Sequence, residues 1–450
     1  MFLYYSLVAL ALCLAGPVLM LSAKRRAGLG QKLGVVPLSI RNHASDGRAI
    51  WFHAVSVGEF NAVWPLVRAF AARHPQYRIY ISTTTATGQQ LAGERASDLA
   101  HVFYFPLDLP WALNAWMDAV RPVLAVVVET EIWPGFTHEC SKRDIRLVVV
   151  NGRISPRSFG SYHRLRHFFG PVIRQFAAIA AQSKGDAQRY LAITDQANVT
   201  VTGNLKFDGL KPISKPEQEE VRSRLHLAPN QIVVVGGSTH EGEESALLAA
   251  FRKLTAALAS DANQAGKAPP RLILAPRHPE RFVRVADLIS EMGFRPRRYS
   301  AGETFEQESD VFLLDTIGQL FRYYSVATVA FVGGTLAPIG GHNILEPYAF
   351  GVPVACGPSL EKTLDTANGL RDRQAIRIVS NSDELADNLI ELIRSDEMRR
   401  ELGERGRQWL SESQGAVDRT LRILESFLRP PYNDEHPESI SAQAEGAKQT

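Results

Sequence analysis

The chain has 450 residues, 45% hydrophobic and 22% charged, enough apolar content for roughly two to three packed domains and too much for a disordered chain. Cys13, Cys140 and Cys356 lie far apart with no Cys-x-x-Cys pair, which argues against a disulfide framework or a cysteine-held zinc centre and fits a reducing compartment. The net charge of +3 is unevenly spread: residues 24–210 carry 22 Lys and Arg against 13 Asp and Glu, and the remainder from 211 carries 28 against 34.

In chain order, residues 2–23 hold no charged side chain, and Lys24, Arg25 and Arg26 follow at once. About 20 apolar residues cross a bilayer core as a helix. A secretory signal carries its charge before the apolar run, not after it, so residues 1–23 are expected to be an uncleaved transmembrane anchor with the rest of the chain on the cytoplasmic side. A basic segment directly behind it suits anionic lipids or a phosphorylated lipid substrate. Nucleic acid is disfavoured because the aromatics sit within apolar runs instead of being interleaved with the charge.

Residues 24–210 alternate short apolar runs (50–55, 78–82, 123–128, 147–150, 178–181, 199–202) with helical patterns (60–73, 110–120, 168–175). Continuous apolar runs of this length read as buried parallel strands, and the βα alternation predicts a doubly wound sheet. Chemistry is expected at the strand ends. The stretch HAVSVGE at 53–59 delivers Glu59 where a helix begins, as either a general base or a helix cap. ETEIWP at 129–134 closes another strand with Glu129 and Glu131, and TGNLKFD at 202–208 brings Lys206 to the same edge. Between them Arg153, Arg157, His163, Arg164, Arg166 and His167 run together with Phe159, Tyr162, Phe168 and Phe169, a composition suited to an anionic lipid or to a solvated helix face.

Lys211 to Pro216 reads as a linker, and residues 217–428 repeat the pattern with strands expected at 232–235, 271–275, 311–314, 327–332, 352–355 and 376–379 and helices at 217–225, 243–258, 383–410 and 417–428. Its loops hold STHEGEE at 238–244, PRHPERF at 276–282 with Pro276 and the forked cation Arg277, the turn Thr316, Ile317, Gly318, and GGHNILEP at 340–347. The last is expected to open a short helix whose N–H groups attract an anion while Glu346, one turn inside, takes the hydroxyls of a ribose. No Asp-x-Asp occurs, so no metal ligand set for a diphosphate is apparent. Residues 429–450 are polar and read as a disordered tail.

These six motifs, in this order across nearly the whole chain, resemble those of the Kdo transferases of lipopolysaccharide assembly. The resemblance implies a GT-B type α/β fold, two Rossmann-like domains (24–210 for the acceptor, 217–428 for CMP-Kdo) facing a cleft, anchored at the bacterial inner membrane. It implies an inverting transfer of Kdo (3-deoxy-D-manno-octulosonic acid) from CMP-Kdo to the 6-hydroxyl of the distal glucosamine of a tetra-acylated lipid A precursor, with no cofactor beyond the donor. Glu59 matches the family's catalytic base, Glu129 and Lys206 match positions assisting the transition state, and Pro276, Arg277, Thr316, Ile317, Gly318, Asn343, Ile344, Leu345 and Glu346 match its CMP-binding segments. Ile344 stands where proline is usual, Gly152 where alanine is, and Gln319 where glutamate is. The alternatives are a membrane-bound GT-B transferase using a nucleotide diphosphate sugar, and a non-catalytic, membrane-tethered nucleotide-binding protein.

Overall fold

Val- and Ala-rich runs without charge leave no face for water, so the strands they form must be covered on both sides. In the computed structural model, which describes residues 1–20, 26–41, 48–261 and 268–428, they assemble into two seven-stranded sheets in which every neighbouring pair is parallel. The first holds β1 (Ala49–His53), β2 (Arg78–Thr83), β3 (Ala100–Tyr104), β4 (Pro122–Val128), β5 (Arg146–Gly152), β6 (Ala178–Ala181) and β7 (Val199–Val201), in the order 3-2-1-4-5-6-7. The second holds β8 (Val233–Thr239), β9 (Arg271–Pro276), β10 (Arg295–Arg298), β11 (Asp310–Leu313), β12 (Val329–Val332), β13 (Val354–Cys356) and β14 (Ile376–Ile378), in the order 10-11-9-8-12-13-14. The winding reverses between β1 and β4 in one sheet and between β8 and β12 in the other, and such switch points open crevices at the strand C-termini.

Two strands were not anticipated. β3 reads AHVFY and is mostly half-buried at an edge, and β10 is RPRR, a basic edge strand without an apolar signal. The helix expected over 383–410 is two helices, Ser382–Arg394 and Asp396–Ser413, divided at Ser395, whose side chain caps the second. The linker is shorter than expected, because Ser214 and Glu217 form a capping box that starts a helix at Lys215.

The final helix, Ala416–Glu425, crosses back onto the first domain. Ala416, Leu421 and Leu424 are fully buried in a cluster with Phe60, Val63, Val67 and Leu205. Arg73 pairs with Asp418 at 2.7 Å and His74 Nε2 meets Glu425 at 2.9 Å. Asp208 accepts the N–H groups of Gly415, Ala416 and Val417 at 2.8, 3.3 and 2.7 Å, holding the helix start to the end of the first domain.

The structure lends the expected anchor no support. A helix, α1 (Phe2–Met20), does form, but among the described residues no helix is long and apolar enough to cross a membrane. The Tyr4 hydroxyl donates to Asp108 at 2.5 Å, and its ring lies 6.0 Å from that of Phe168, so the start of α1 touches the first domain, with Leu7, Leu10 and Leu14 exposed. Residues 21–23 of the expected anchor and the predicted tail, 429–450, lie outside the described residues.

Candidate active site

At the first switch point Ser56 caps α2 (Val57–Arg73), which places Glu59 in the first turn. Its carboxylate accepts the Val55 N–H at 2.8 Å and contacts the Ser56 hydroxyl at 3.3 Å, so it serves the helix start. Burial nevertheless pushes the carboxyl up to about 7, helped by the neighbouring charges of Glu131 and Glu129 and opposed by the Val55 N–H. A carboxylate poised there is matched to proton abstraction near neutral pH.

Glu129 leaves β4 in the left-handed region, φ 61°, and Asn151 does the same within β5 at φ 54°. Neither is glycine, so both backbones are strained, a feature that clusters at functional sites. The conformation turns Glu129 toward Lys206, whose Nζ lies 2.9 Å from its carboxylate. Asn151, fully buried, joins the parts: Oδ1 accepts the Leu205 N–H at 3.0 Å, and Nδ2 reaches Glu129 at 3.5 Å. Glu131 holds the Trp133 indole N–H at 2.7 Å, and burial raises its carboxyl. The structure therefore brings Glu129 and Lys206 into contact, with Glu59 close enough to feel Glu129. Asn151, one position beyond the run expected as a strand at 147–150, was missed as the residue joining them.

In the second domain the helix expected to open at 340–343 and to carry Glu346 and Pro347 does not begin there. Gly340 and Gly341 turn the chain at φ 95° and 84°, and the first helical residues are a 3-10 turn, Pro347–Phe350, with Glu346 just before it rather than one turn inside. In the loop just before this turn the N–H groups are engaged by a side chain: Glu243, 1% exposed, accepts those of Gly334, Thr335, Leu336 and Ala337, and that of His240, at 2.7 to 3.1 Å. Glu244 binds Arg281 through both oxygens, at 2.7 and 3.0 Å. The STHEGEE motif thus shapes the loop that follows β12.

Arg277 is exposed at the end of β9, its own N–H bonded to Thr239 O at 3.0 Å and its charge acting on Glu346 and His342. Glu346 accepts from Asn343 at 3.3 Å, and burial lifts its carboxyl to about 7 against the pull of Asn343 and Arg277. Ile317 is 54% exposed and Gly318 sits at φ 87° beside the half-buried Thr316, an open loop edge, whereas Pro276, Ile344 and Leu345 are buried, the last two within an apolar cluster, which leaves those two backbone contacts only. Across the cleft Arg153 donates to Lys362 O at 3.3 Å, joining the domains on this side.

Of the basic aromatic stretch, Pro156–Arg164 buries no residue, and Leu165 and Phe168 are 53% and 41% exposed. Phe159, Tyr162 and Phe169 instead lean on the first-domain core.

Residues 26–209 match the family described as 3-deoxy-D-manno-octulosonic-acid transferase (kdotransferase). The 3-deoxy-D-manno-octulosonic acid transferase of Haemophilus influenzae is 33% identical over 424 residues, covering 93% of this chain and 96% of its own, and that of Bordetella pertussis is 32% identical over 391 residues, covering 84% and 87%. In fold alone, a glycosyltransferase from Rickettsia africae superposes with a TM-score of 0.57 at 12% identity, over 85% of this chain and 99% of that one.

Proposed function

The chain belongs to the Kdo transferase family and is a glycosyltransferase, and from that premise we propose that it carries Kdo from CMP-Kdo to the 6-hydroxyl of the distal glucosamine of a tetra-acylated lipid A precursor, inverting the anomeric centre. The observation that carries this reading is the half-buried Glu59, its carboxyl held near 7 beside the Glu129–Lys206 pair. Glu59 takes the proton of the acceptor hydroxyl as its oxygen attacks the anomeric carbon. The carbon–oxygen bond to the phosphate breaks, and CMP leaves with one more negative charge, which Lys206 offsets while Glu129 holds its ammonium in place. Arg277, the open turn at Thr316 to Gly318, and Asn343 with Glu346 hold the nucleotide, Glu346 toward the ribose. Pro276, Ile344 and Leu345 shape that wall from behind.

The acceptor is a phosphorylated, acylated lipid, and one face of the first domain suits it: Tyr4 of α1, a helix whose Leu7, Leu10 and Leu14 are exposed, lies against Phe168, in the stretch that also carries Arg157, Arg164 and Arg166. The same face would meet the anionic lipids of the inner membrane from its cytoplasmic side. Mass spectrometry of a tetra-acylated, bisphosphorylated lipid A precursor incubated with the protein and CMP-Kdo tests the reading. One or more Kdo increments are expected, and an unchanged acceptor with intact donor would overturn it.

A further inference from the structure

Three histidines from separate loops of the second domain, His240 after β8, His278 after β9 and His342 after β12, meet at its switch point. The rings of His240 and His342 are coplanar within 7°, their centroids 5.0 Å apart and their Nε2 atoms 2.7 Å apart, so they meet edge to edge through a single hydrogen bond. His278 stands against His240 at 77° with centroids 5.1 Å apart. Among the described residues no three such side chains are arranged to hold a metal ion. We propose that the His240–His342 pair is an anion subsite that admits an oxyanion of the activated donor together with one proton. The proposal rests on the donor reading above and adds residues that reading does not use.

The proton count follows from the geometry. In the pair one Nε2–H donates and the other Nε2 accepts, so the pair is stable when neutral or with one extra proton on an outer Nδ1. A second extra proton would set two N–H groups against each other. The surroundings decide between the two states. His342 faces the charges of Arg277 and Lys362 as well as His278, and His240 faces Arg281 and His278 along with the carboxylates Glu243 and Glu244. Those carboxylates are committed, Glu243 to five backbone N–H groups and Glu244 to Arg281 and Thr239. Burial and the neighbouring cations push His342 down to about 4 and His240 below its ordinary value, so the empty site is neutral near pH 7. An oxyanion placed among these cations reverses the balance and draws a proton onto the pair. When the donor phosphate gains its extra charge on leaving, the imidazolium is already opposite it. The backbone makes room for this: a Cβ at Gly334, φ 68°, would lie 2.8 Å from His342 Cδ2.

Calorimetric titration of the full chain in two buffers of unlike protonation enthalpy tests the idea, with CMP, cytidine and free Kdo as probes. CMP binding is expected to take up about one proton at neutral pH, with affinity rising by up to about tenfold per pH unit on acidification, while cytidine takes up none. Uptake with free Kdo but not CMP would assign the subsite to the sugar carboxylate instead of the phosphate and still support the pair. His342→Gln and, independently, His240→Gln each leave the partner ring a hydrogen-bonding amide and are expected to abolish the uptake. Binding of CMP and of free Kdo both without proton uptake, or uptake undiminished in both variants, would overturn this proposal while leaving the donor reading intact. Failure of CMP to bind at all would instead bring down the donor reading.

Discussion

Glu59 combines two demands that usually conflict, since a carboxylate that caps its own helix is stabilised as the anion, whereas burial beside Glu129 and Glu131 favours the protonated form. Burial wins, and the sign of the pH dependence follows. A general base acts only when deprotonated, so the transfer rate should fall by about tenfold per pH unit below about 7 and level off above it. A flat profile from about pH 5 to 8 would argue against Glu59 as the base. Glu59→Gln should lower kcat by about 10² to 10⁴ with CMP affinity unchanged. Asn151 permits a finer test, because aspartate tolerates the same left-handed backbone and keeps the bond to Leu205 while turning the donor at Glu129 into a negative charge. Asn151→Asp should fold normally, lose about tenfold or more in kcat, and shift the acid limb of the profile upward. Wild-type kinetics would show that Asn151 serves only the backbone.

Among the elements, the loop after β12 depends on Glu243 more than on its own glycines. Its five N–H bonds to a buried carboxylate are charge-assisted, and the amide of Glu243→Gln supplies one acceptor and a mismatched donor. A loss of about 3 kcal/mol is expected, seen as a fall of about 6 to 12 °C in the melting temperature, together with weakened CMP binding as the turn carrying His342 loosens. An unchanged melting temperature would mean the loop is held elsewhere. Where a strand is buried on both faces its apolar run was legible, as in Leu147–Val150 or Leu272–Leu274. At two of the four sheet edges, β3 and β10, solvent admits histidine, arginine and proline and the signal disappears. The helix expected to open at 340–343 failed for a related reason. Two consecutive glycines in left-handed conformations turn the chain away, and the Asn343 side chain takes the Leu345 N–H. At the site, residues at strand ends could be picked out because chemistry concentrates there, but pairings such as Asn151 with Leu205, 54 positions apart, have no local pattern.

The molecule as a whole is not two beads on a string. The last helix was expected, at 417–428, but nothing in its sequence says whose core it completes. Leu421 and Leu424 belong to the first domain's cluster, so Leu421→Ala should cost about 3 kcal/mol and speed hydrogen exchange in β1 and β4, not in β8 to β14. Exchange increasing only in the second sheet would contradict the packing described. Arg153 on the far side and the Asp208 cap on the near side tie both ends of the cleft, while Lys206 shares its turn with Asp208. That returning helix also imposes an order on biosynthesis. A domain whose core includes residues 416–425 stays unfinished for about 10 to 40 s after its own first 208 residues have been made, at ordinary elongation rates. In that interval the apolar side of α2 waits uncovered, and chains stalled on the ribosome before residue 416 should hold a first domain that chaperones still recognise.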